Sequence, residues 1–283
     1  MAVRIIVDSG TDIPSKNNQD IKVVPLHVTF DNVTYEDGLT ITHDQFYKRL
    51  IEFDSLPVSS QVNPAEFAEA INSEKCAHPD DEILILTMSS ELSGTYQSAL
   101  IAADDFDDVF VIDTLNVSIG ARAFVDYAVR LRDQGLSAKE MLDILIEKRP
   151  KCHAIAMLNT LEFLKRGGRI SKTAAVAGGI LQLKPVITTN EGRIDLMGAA
   201  RGSKSANNHL NNDIAKLGGI DPDMPIQLGY SGISDALLRV YIEDSAHLLP
   251  PGITPENCPI MTIGCAVGTH AGPDAIALGF FTK

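Results

Sequence analysis

The sequence predicts an α/β protein in which a parallel sheet flanked by helices is followed by a second α/β domain with a mixed sheet. Three observations support this fold class. The chain has 283 residues, more than most single domains. In its first half, short apolar runs alternate with helical patterns, which is typical of a parallel sheet covered on both faces. In its second half, a hairpin signal breaks the alternation. We therefore predict one domain over residues 1–150 and another over residues 151–283.

Strands and helices alternate through the first half. The predicted strands are rich in Ile, Leu and Val and span residues 4–7, 21–30, 83–88 and 109–112. The predicted helices place apolar side chains three and four residues apart and span 43–53, the segment through Phe67 and Ile71, 95–103, 117–132 and 137–149. Polar turns are predicted from Asp8 to Asp12 and from Ser59 to Pro64.

A β-hairpin distinguishes the second half. Asn190-Glu191-Gly192 separates two apolar runs at 184–189 and 193–199, which favours antiparallel pairing. Further strands are predicted at 153–158, 226–230, 261–265 and 276–281, and helices before 165–169 and at 203–217 and 234–248. Thr269 to Pro273 is a predicted turn that follows the strand at 261–265.

Charge and composition exclude several classes of function. The formal net charge of −13 repels nucleic acid and anionic lipid surfaces. No run approaches the roughly 20 apolar residues of a membrane span, and the apolar start of the chain is too short for a signal peptide. The spacing of Cys76, Cys152, Cys258 and Cys265 matches no zinc motif. We expect reduced core cysteines, no metal, no integral membrane segment and a cytoplasmic protein.

The most informative segment is the hydroxyl-rich turn from Ser89 to Gly94, which lies between a predicted strand and a predicted helix. Ligands bind at the carboxyl ends of strands in open α/β sheets, and a helix N-terminus offers unpaired N–H groups and partial positive charge. Ser89, Ser90 and Ser93 are more hydroxyls than capping requires, so with Gly94 they indicate an anion site built from neutral donors. Plain helix capping is the alternative.

Other residues are candidates for the same site. Ser59 and Ser60 lie in the second polar turn, and His270 lies among small residues that permit close approach, although a structural histidine is the alternative. Arg169 lies past the glycines that end a helix, and Arg201 follows the hairpin, so both are candidates for binding a phosphate or an acidic partner. The chain lacks the P-loop and GxGxxG patterns, so any nucleotide chemistry would belong to a partner.

Seven segments, taken together, resemble the DegV family. They are Val7-Asp8-Ser9, Val24-Pro25-Leu26, Ser59-Ser60-Gln61, Ser89-Ser90-Glu91-Leu92-Ser93-Gly94-Thr95-Tyr96, Gly167-Gly168-Arg169-Ile170, Lys184-Pro185 and Thr269-His270-Ala271-Gly272-Pro273. The resemblance covers essentially the whole chain. It departs from the family's usual pattern at Val62, Ala199 and Asp274, where proline, lysine and glycine are usual.

The resemblance implies a bacterial fatty-acid-binding protein with no cofactor besides the bound lipid. It implies that the carboxylate of a long-chain fatty acid is held by hydroxyls and backbone amides near His270. The implied hydroxyls are those of Ser59, Ser60, Ser89, Ser90 and Ser93. Arg169 and Arg201 would serve the encounter with an ATP-dependent fatty acid kinase that makes the acyl phosphate. Two alternatives stay open, a serine-dependent acyl hydrolase with His270 as base and a binder of a polar anion.

Overall fold

The computed structural model describes residues 2–14, 21–52, 56–170, 183–254, 256–257 and 260–283. Numbered over these residues, the strands are β1 (Val3–Asp8), β2 (Ile21–Val24), β3 (His27–Phe30), β4 (Val33–Glu36), β5 (Val58–Ser60), β6 (Glu82–Thr87), β7 (Val109–Asp113), β8 (Cys152–Met157), β9 (Leu183–Asn190), β10 (Arg193–Arg201), β11 (Gln227–Tyr230), β12 (Ile260–Thr262) and β13 (Ile276–Phe281). The helices are α1 (His43–Glu52), α2 (Pro64–Ala77), α3 (Thr95–Ala103), α4 (Ser118–Asp133), α5 (Ala138–Lys148), α6 (Glu162–Gly167), α7 (Ser203–Leu217), α8 (Ala236–Asp244) and α9 (Cys265–Ala271).

A four-stranded parallel sheet forms the centre of the first half, in the order β2-β1-β6-β7. Side chains alternate between its faces because successive residues of a strand point in opposite directions. Ile6 and Ile83 pack on the face covered by α2 and α3, whereas Ile5 and Leu84 pack on the face covered by α4 and α5. The prediction of a parallel sheet flanked by helices is confirmed.

The second half contains a six-stranded mixed sheet in the order β10-β9-β8-β13-β11-β12. Only β11 and β12 run parallel among its neighbouring pairs in the described residues. The predicted hairpin is confirmed as β9 and β10. Its turn has φ values of 47° at Glu191 and 82° at Gly192, the positive pair that a type I′ turn requires. Helices α7 and α8 contribute Leu210, Ile214 and Leu238 to the core of this half.

A small antiparallel sheet, β4-β3-β5, corrects two predictions for the first half. Residues 21–30 form two strands rather than one, because the chain breaks at Pro25-Leu26 and β3 leaves the parallel sheet. Proline lacks the N–H that would continue a ladder. Ser59 and Ser60 lie on β5 rather than in a turn, and neither β4 nor β5 was predicted.

The region around His270 was also predicted wrongly. Residues 265–271 form helix α9, so His270 occupies the last helical turn rather than a turn after a strand. The preceding strand ends at Thr262 instead of residue 265, and α8 covers Ala236–Asp244 rather than 234–248.

Two helices join the halves of the chain. Helix α4 contacts β8, β11 and β13 of the mixed sheet as well as packing beneath the parallel sheet. In the opposite direction, Cys265 and Ala266 of α9 pack in the core of the first half beside Phe46 and Tyr47. The surface between the two sheets is therefore built by elements from both halves.

The described cysteines are free thiols. Cys152 and Cys265 are buried, as expected, whereas Cys76 is exposed near the end of α2, so the expectation of a core position is wrong there. Cys258 lies outside the described residues. Among the described helices, none combines the length and apolar character needed to cross a bilayer.

Candidate functional site

A cavity of about 330 Å³ lies between the two halves, within the size range of small-molecule sites. Its wall is mostly aliphatic. The apolar lining residues are Leu26, Met88, Leu92, Val117, Ile119, Ala154, Ala156, Leu158, Leu164, Ile187, Ile194, Ile263, Ala266, Val267, Ala271 and Ala277. The polar and glycine lining residues are Ser59, Ser60, Gln61, Ser93, Gly94, Ser118, Arg169, Thr188, Thr189 and His270. An apolar ligand with a polar group fits such a wall.

Ser59 and His270 form the best-defined polar contact in the cavity. Ser59 Oγ on β5 lies 2.7 Å from Nε2 of His270 on α9. The Nδ1 atom of the same ring is buried and has no hydrogen-bond partner among the described residues. A neutral imidazole carries one donor and one acceptor. Because Nδ1 is buried against Gly167, the ring acts on the cavity through Nε2, which fixes the direction of the Ser59 hydroxyl.

Burial, with a smaller contribution from the positive charge of Arg169, lowers the pKa of His270 to about 4. The imidazole is therefore neutral at pH 7 in the absence of a ligand. A carboxylate bound here would meet neutral donors first, with the Arg169 guanidinium as the nearby cation.

Gly167 makes room for this ring at the end of α6. A methyl group at Gly167 would overlap the His270 imidazole. The following residue, Gly168, ends the helix with a φ of 70°, a backbone conformation that glycine adopts at little cost. Arg169 comes next, exposed, and its Nε donates to the Leu92 carbonyl at 3.2 Å. The predicted end of this helix is confirmed. Arg169, which follows it, lies in the cavity wall.

Ser93 and Gly94 lie at the N-terminus of α3, whose N-cap residue is Gly94. Ser93 Oγ lies 2.8 Å from Thr95 Oγ1 and accepts from the Thr95 N–H at 3.3 Å. A methyl group at Gly94 would overlap the Gln61 side chain, so glycine allows the end of β5 to lie against α3. This arrangement brings Ser59 and Ser60 of β5 to the same cavity as Ser93, which lies just before α3.

Ser89 and Ser90 have other surroundings. Ser89 is fully buried, donates to the Gly192 carbonyl at 2.7 Å, and accepts from the Glu91 N–H. Ser90 is exposed, and its N–H donates to Asp113 Oδ2 at 3.2 Å. Neither residue lines the cavity. Residues of one tight turn point in different directions, so Ser89 joins the turn to the β9–β10 hairpin instead of facing a ligand.

Arg201 also lies away from the cavity wall. It is the exposed last residue of β10, paired in register with Leu183. Of the two arginines predicted to serve a phosphate or a partner, only Arg169 lines the cavity.

Sequence reasoning missed the hydroxyls of Ser118, Thr188 and Thr189 in the cavity wall. Each hydroxyl donates to a protein acceptor. Ser118 Oγ donates to Asp12 Oδ2, Thr188 Oγ1 to the Ala154 carbonyl, and Thr189 Oγ1 to Asn116 Oδ1. Their hydrogens are therefore occupied. No local pattern marks these residues, because only the packing of α4 against β8, and the pairing of β8 with β9, bring them together.

Three buried carboxylates lie behind the cavity. Burial raises the pKa of Asp8 and of Asp12 to about 7. Asp8 accepts from the N–H groups of Gly10 and Met88, and its bond to Gly10 forms an Asx turn within the polar turn predicted after β1. Asp37 presents an oxygen within 4.8 Å of ligand atoms of His43 and Cys265.

Comparisons with known proteins agree with this architecture. The family model described as "Uncharacterised protein, DegV family" matches residues 2–283. A DegV domain-containing protein of Caldanaerobacter subterraneus subsp. tengcongensis is 33% identical over 286 residues, with 99% of each chain covered. The solved structure of a DegV family protein from Thermus thermophilus, described as fatty-acid-binding, has a TM-score of 0.85 at 30% identity and covers 100% of both chains. A stearic-acid-binding protein from Eubacterium ventriosum has a TM-score of 0.85 at 27% identity, with 100% of this chain and 99% of that chain covered.

Proposed function

Because the chain belongs to the DegV family, we propose that its cavity binds a long-chain fatty acid. The carboxylate lies at Ser59, Ser93 and His270, and the acyl chain runs along the aliphatic wall. The observation that carries this proposal is the composition of the cavity, in which a mostly aliphatic wall also contains a Ser59–His270 pair and an arginine. The fatty-acid-binding protein from Thermus thermophilus supports it, since its fold matches over the full length.

Most of the affinity comes from the hydrocarbon chain. Burial of about 14 methylenes at about 0.8 kcal/mol each gives about 11 kcal/mol before the costs of association and ordering, which remove half or more. Hydrogen bonds to the carboxylate contribute about 1.5–3 kcal/mol each, and much of this offsets desolvation of the charge. The polar end of the cavity therefore determines orientation more than binding strength.

Orientation matters because we propose that the bound acid is presented to an ATP-dependent kinase. Phosphoryl transfer depends mainly on positioning and on neutralisation of charge. Arg169 is exposed beside the polar end of the cavity, where a partner can reach it. The DegV resemblance supports the kinase as the partner. Arg201 is exposed and lies outside the cavity, so it would contact the kinase on the outer surface of the protein.

A serine hydrolase is the second candidate, because the Ser59–His270 distance of 2.7 Å suits a nucleophile and its base. A hydrolase also needs a group that orients the base through its other nitrogen. Nδ1 of His270 lacks such a partner in the described part of the chain. We therefore favour a carrier without chemistry of its own. Incubation with a fluorophosphonate probe separates the two, since covalent labelling of Ser59 would support the hydrolase.

A titration tests the binding proposal. Delipidated protein is titrated with palmitic acid, methyl palmitate and inorganic phosphate. We expect both lipids to bind, the acid more tightly than the ester because only the acid presents a carboxylate to Ser59 and His270. Binding of phosphate without either lipid would favour a polar anion binder and overturn the proposal.

A further inference from the structure

Helix α9 begins without a capping side chain of its own, since its N-cap residue is Gly264. The first N–H groups of a helix have no partners within the helix. Two carboxylates from distant parts of the chain satisfy them here. Asp12 Oδ1 accepts from the Gly264 N–H at 2.8 Å, while Asp37 Oδ1 and Oδ2 accept from Cys265 and Ala266 at 2.8 and 3.1 Å.

Both carboxylates are buried, with Asp37 only 1% exposed. Ser9 Oγ donates to Asp37 at 3.2 Å, and Ser118 Oγ donates to Asp12. A methyl group at Gly264 would lie 3.0 Å from Asp12 Oδ1 and 3.1 Å from Asp37 Oδ2, so glycine allows both to approach. Burial of a carboxylate is costly unless hydrogen bonds compensate for it. Because Asp37 uses both oxygens on α9, helix capping accounts for its position next to His43 and Cys265.

The opposite end of α9 carries His270. The helix spans Cys265–Ala271, and from its last turn His270 Nε2 reaches Ser59 Oγ on β5. Asp12, Asp37 and Ser59 all belong to the first half of the chain. A helix this short has no flexible segment between its ends, so the place where its N-terminus is held determines where His270 points.

We propose that Asp37, together with Asp12, is a positioning residue for the fatty-acid head group. It holds the N-terminus of α9 against the first half and thereby keeps His270 in contact with Ser59. This inference rests on the proposed fatty-acid site, and it adds two residues that do not touch the ligand.

The test is a double-mutant cycle on head-group preference. Asp37→Asn keeps the shape of the side chain but replaces one acceptor oxygen with an amide group that cannot accept an N–H bond. Dissociation constants for palmitic acid and methyl palmitate are measured for the wild type, Asp37→Asn, His270→Ala and the double variant. We expect Asp37→Asn to lower the acid-over-ester preference about fivefold. We expect the double variant to lose no more of this preference than His270→Ala loses alone.

Asp213→Asn is the matched control. Asp213 is a carboxylate with the same 1% exposure, located on α7, and its loss is expected to leave the preference unchanged. A purely structural role for Asp37 would lower thermal stability and leave the ratio of the two dissociation constants at the wild-type value. That result overturns the inference, as does full additivity in the cycle.

Asp12→Ala keeps the test decisive if Asp37→Asn does not fold. Of the bonds to the N-terminus of α9 it removes only the one from Gly264, so we expect a loss of preference of about twofold. An unchanged ratio would count against the inference. If instead the wild type binds neither lipid, or does not prefer the acid, the proposed function itself has failed. If His270→Ala loses the preference and the aspartate variants retain it, only the inference has failed.

Discussion

At the scale of single residues, the protonation state of His270 determines what the polar end of the cavity can do. The ring is neutral at pH 7 because burial opposes its charge, and Arg169 opposes it further. A neutral ring that bonds Ser59 through Nε2 fixes the direction of the Ser59 hydroxyl without placing a charge in the cavity wall. Under the proposed function, a carboxylate at this end would meet hydrogen-bond donors, with Arg169 at the surface as the nearby cation.

The pKa of His270 predicts a specific loss of stability in acid. Because the folded pKa of about 4 lies below the ordinary 6.5, the unfolded chain binds more protons between these values. Stability from the neutral ring is complete above pH 6.5 and is lost as pH falls towards 4, by about 3 kcal/mol in all. Urea unfolding of the ligand-free protein at pH 7 and pH 4.5 measures this loss of unfolding free energy. The fall in unfolding free energy should be smaller in His270→Gln.

The buried carboxyls provide the background for that comparison. Asp8 and Asp12 have raised pKa values, so their contribution to stability falls as pH rises from about 4 to 7, opposite in sign to that of His270. The wild type and His270→Gln share this contribution. It therefore cancels when the pH dependence of one protein is subtracted from that of the other. Equal pH dependence of the wild type and His270→Gln would contradict the predicted role of burial at His270.

Ser89 and Ser93 should respond differently to removal of their hydroxyls. Ser89→Ala leaves the buried Gly192 carbonyl without its donor, which should cost about 1–3 kcal/mol of stability and leave palmitic acid affinity unchanged. Ser93→Ala should lower that affinity about threefold and impair acyl-phosphate formation more strongly. Thermal unfolding and lipid titration of both variants measure this. A larger affinity loss in Ser89→Ala would reverse our placement of the two serines.

Part of the cavity lining could be predicted from the sequence. Hydroxyl-rich segments predicted that Ser59 and Ser93 would converge, and the structure brings both to the cavity with His270 and Arg169. Composition alone could not separate Ser93 from Ser89. The two differ in the direction of their side chains, and the direction of Ser89 depends on a hairpin residue, Gly192, that is 103 positions away in the sequence.

At the scale of elements, local signals predicted most strands and helices but not α9. Helix α3 and strand β13 begin and end where apolar spacing predicts, because their flanking turns lie beside them in the sequence. Helix α9 has a glycine at its N-cap and takes its capping groups from Asp12 and Asp37, which are 252 and 228 residues away. No window of neighbouring residues contains that information.

The end of α6 provides a test with a matched pair of glycines. Gly167→Ala places a methyl group on the His270 ring, so it should displace the ring from Ser59 and weaken palmitic acid binding about tenfold. In Gly168→Ala the methyl group would point into open space, but the alanine would have to adopt a φ of 70°, which is strained for any residue with a Cβ. It should cost about 1 kcal/mol of stability without changing affinity. Calorimetric titration and thermal unfolding of both variants distinguish these effects, and equal affinity losses would contradict the steric role of Gly167.

At the scale of the whole molecule, the cavity exists because the two halves are interlocked. Helix α4 packs on the mixed sheet, α9 packs in the core of the first half, and Ser89 bonds the hairpin of the second half. Alternation of strands and helices predicted both sheets. It did not predict that their facing surfaces enclose an apolar space, since that depends on small side chains such as Ala154, Ala156 and Ala277 at contacts distant in sequence.

The nature of the native ligand tests the central claim most directly. Protein purified under native conditions is extracted with organic solvent, and the extract is analysed by mass spectrometry alongside an extract of the same protein after delipidation. We predict about one long-chain fatty acid per chain in the first extract, with the delipidated protein binding the same acid again. Recovery of a polar anion alone, together with failure of the delipidated protein to bind any long-chain fatty acid, would contradict the account.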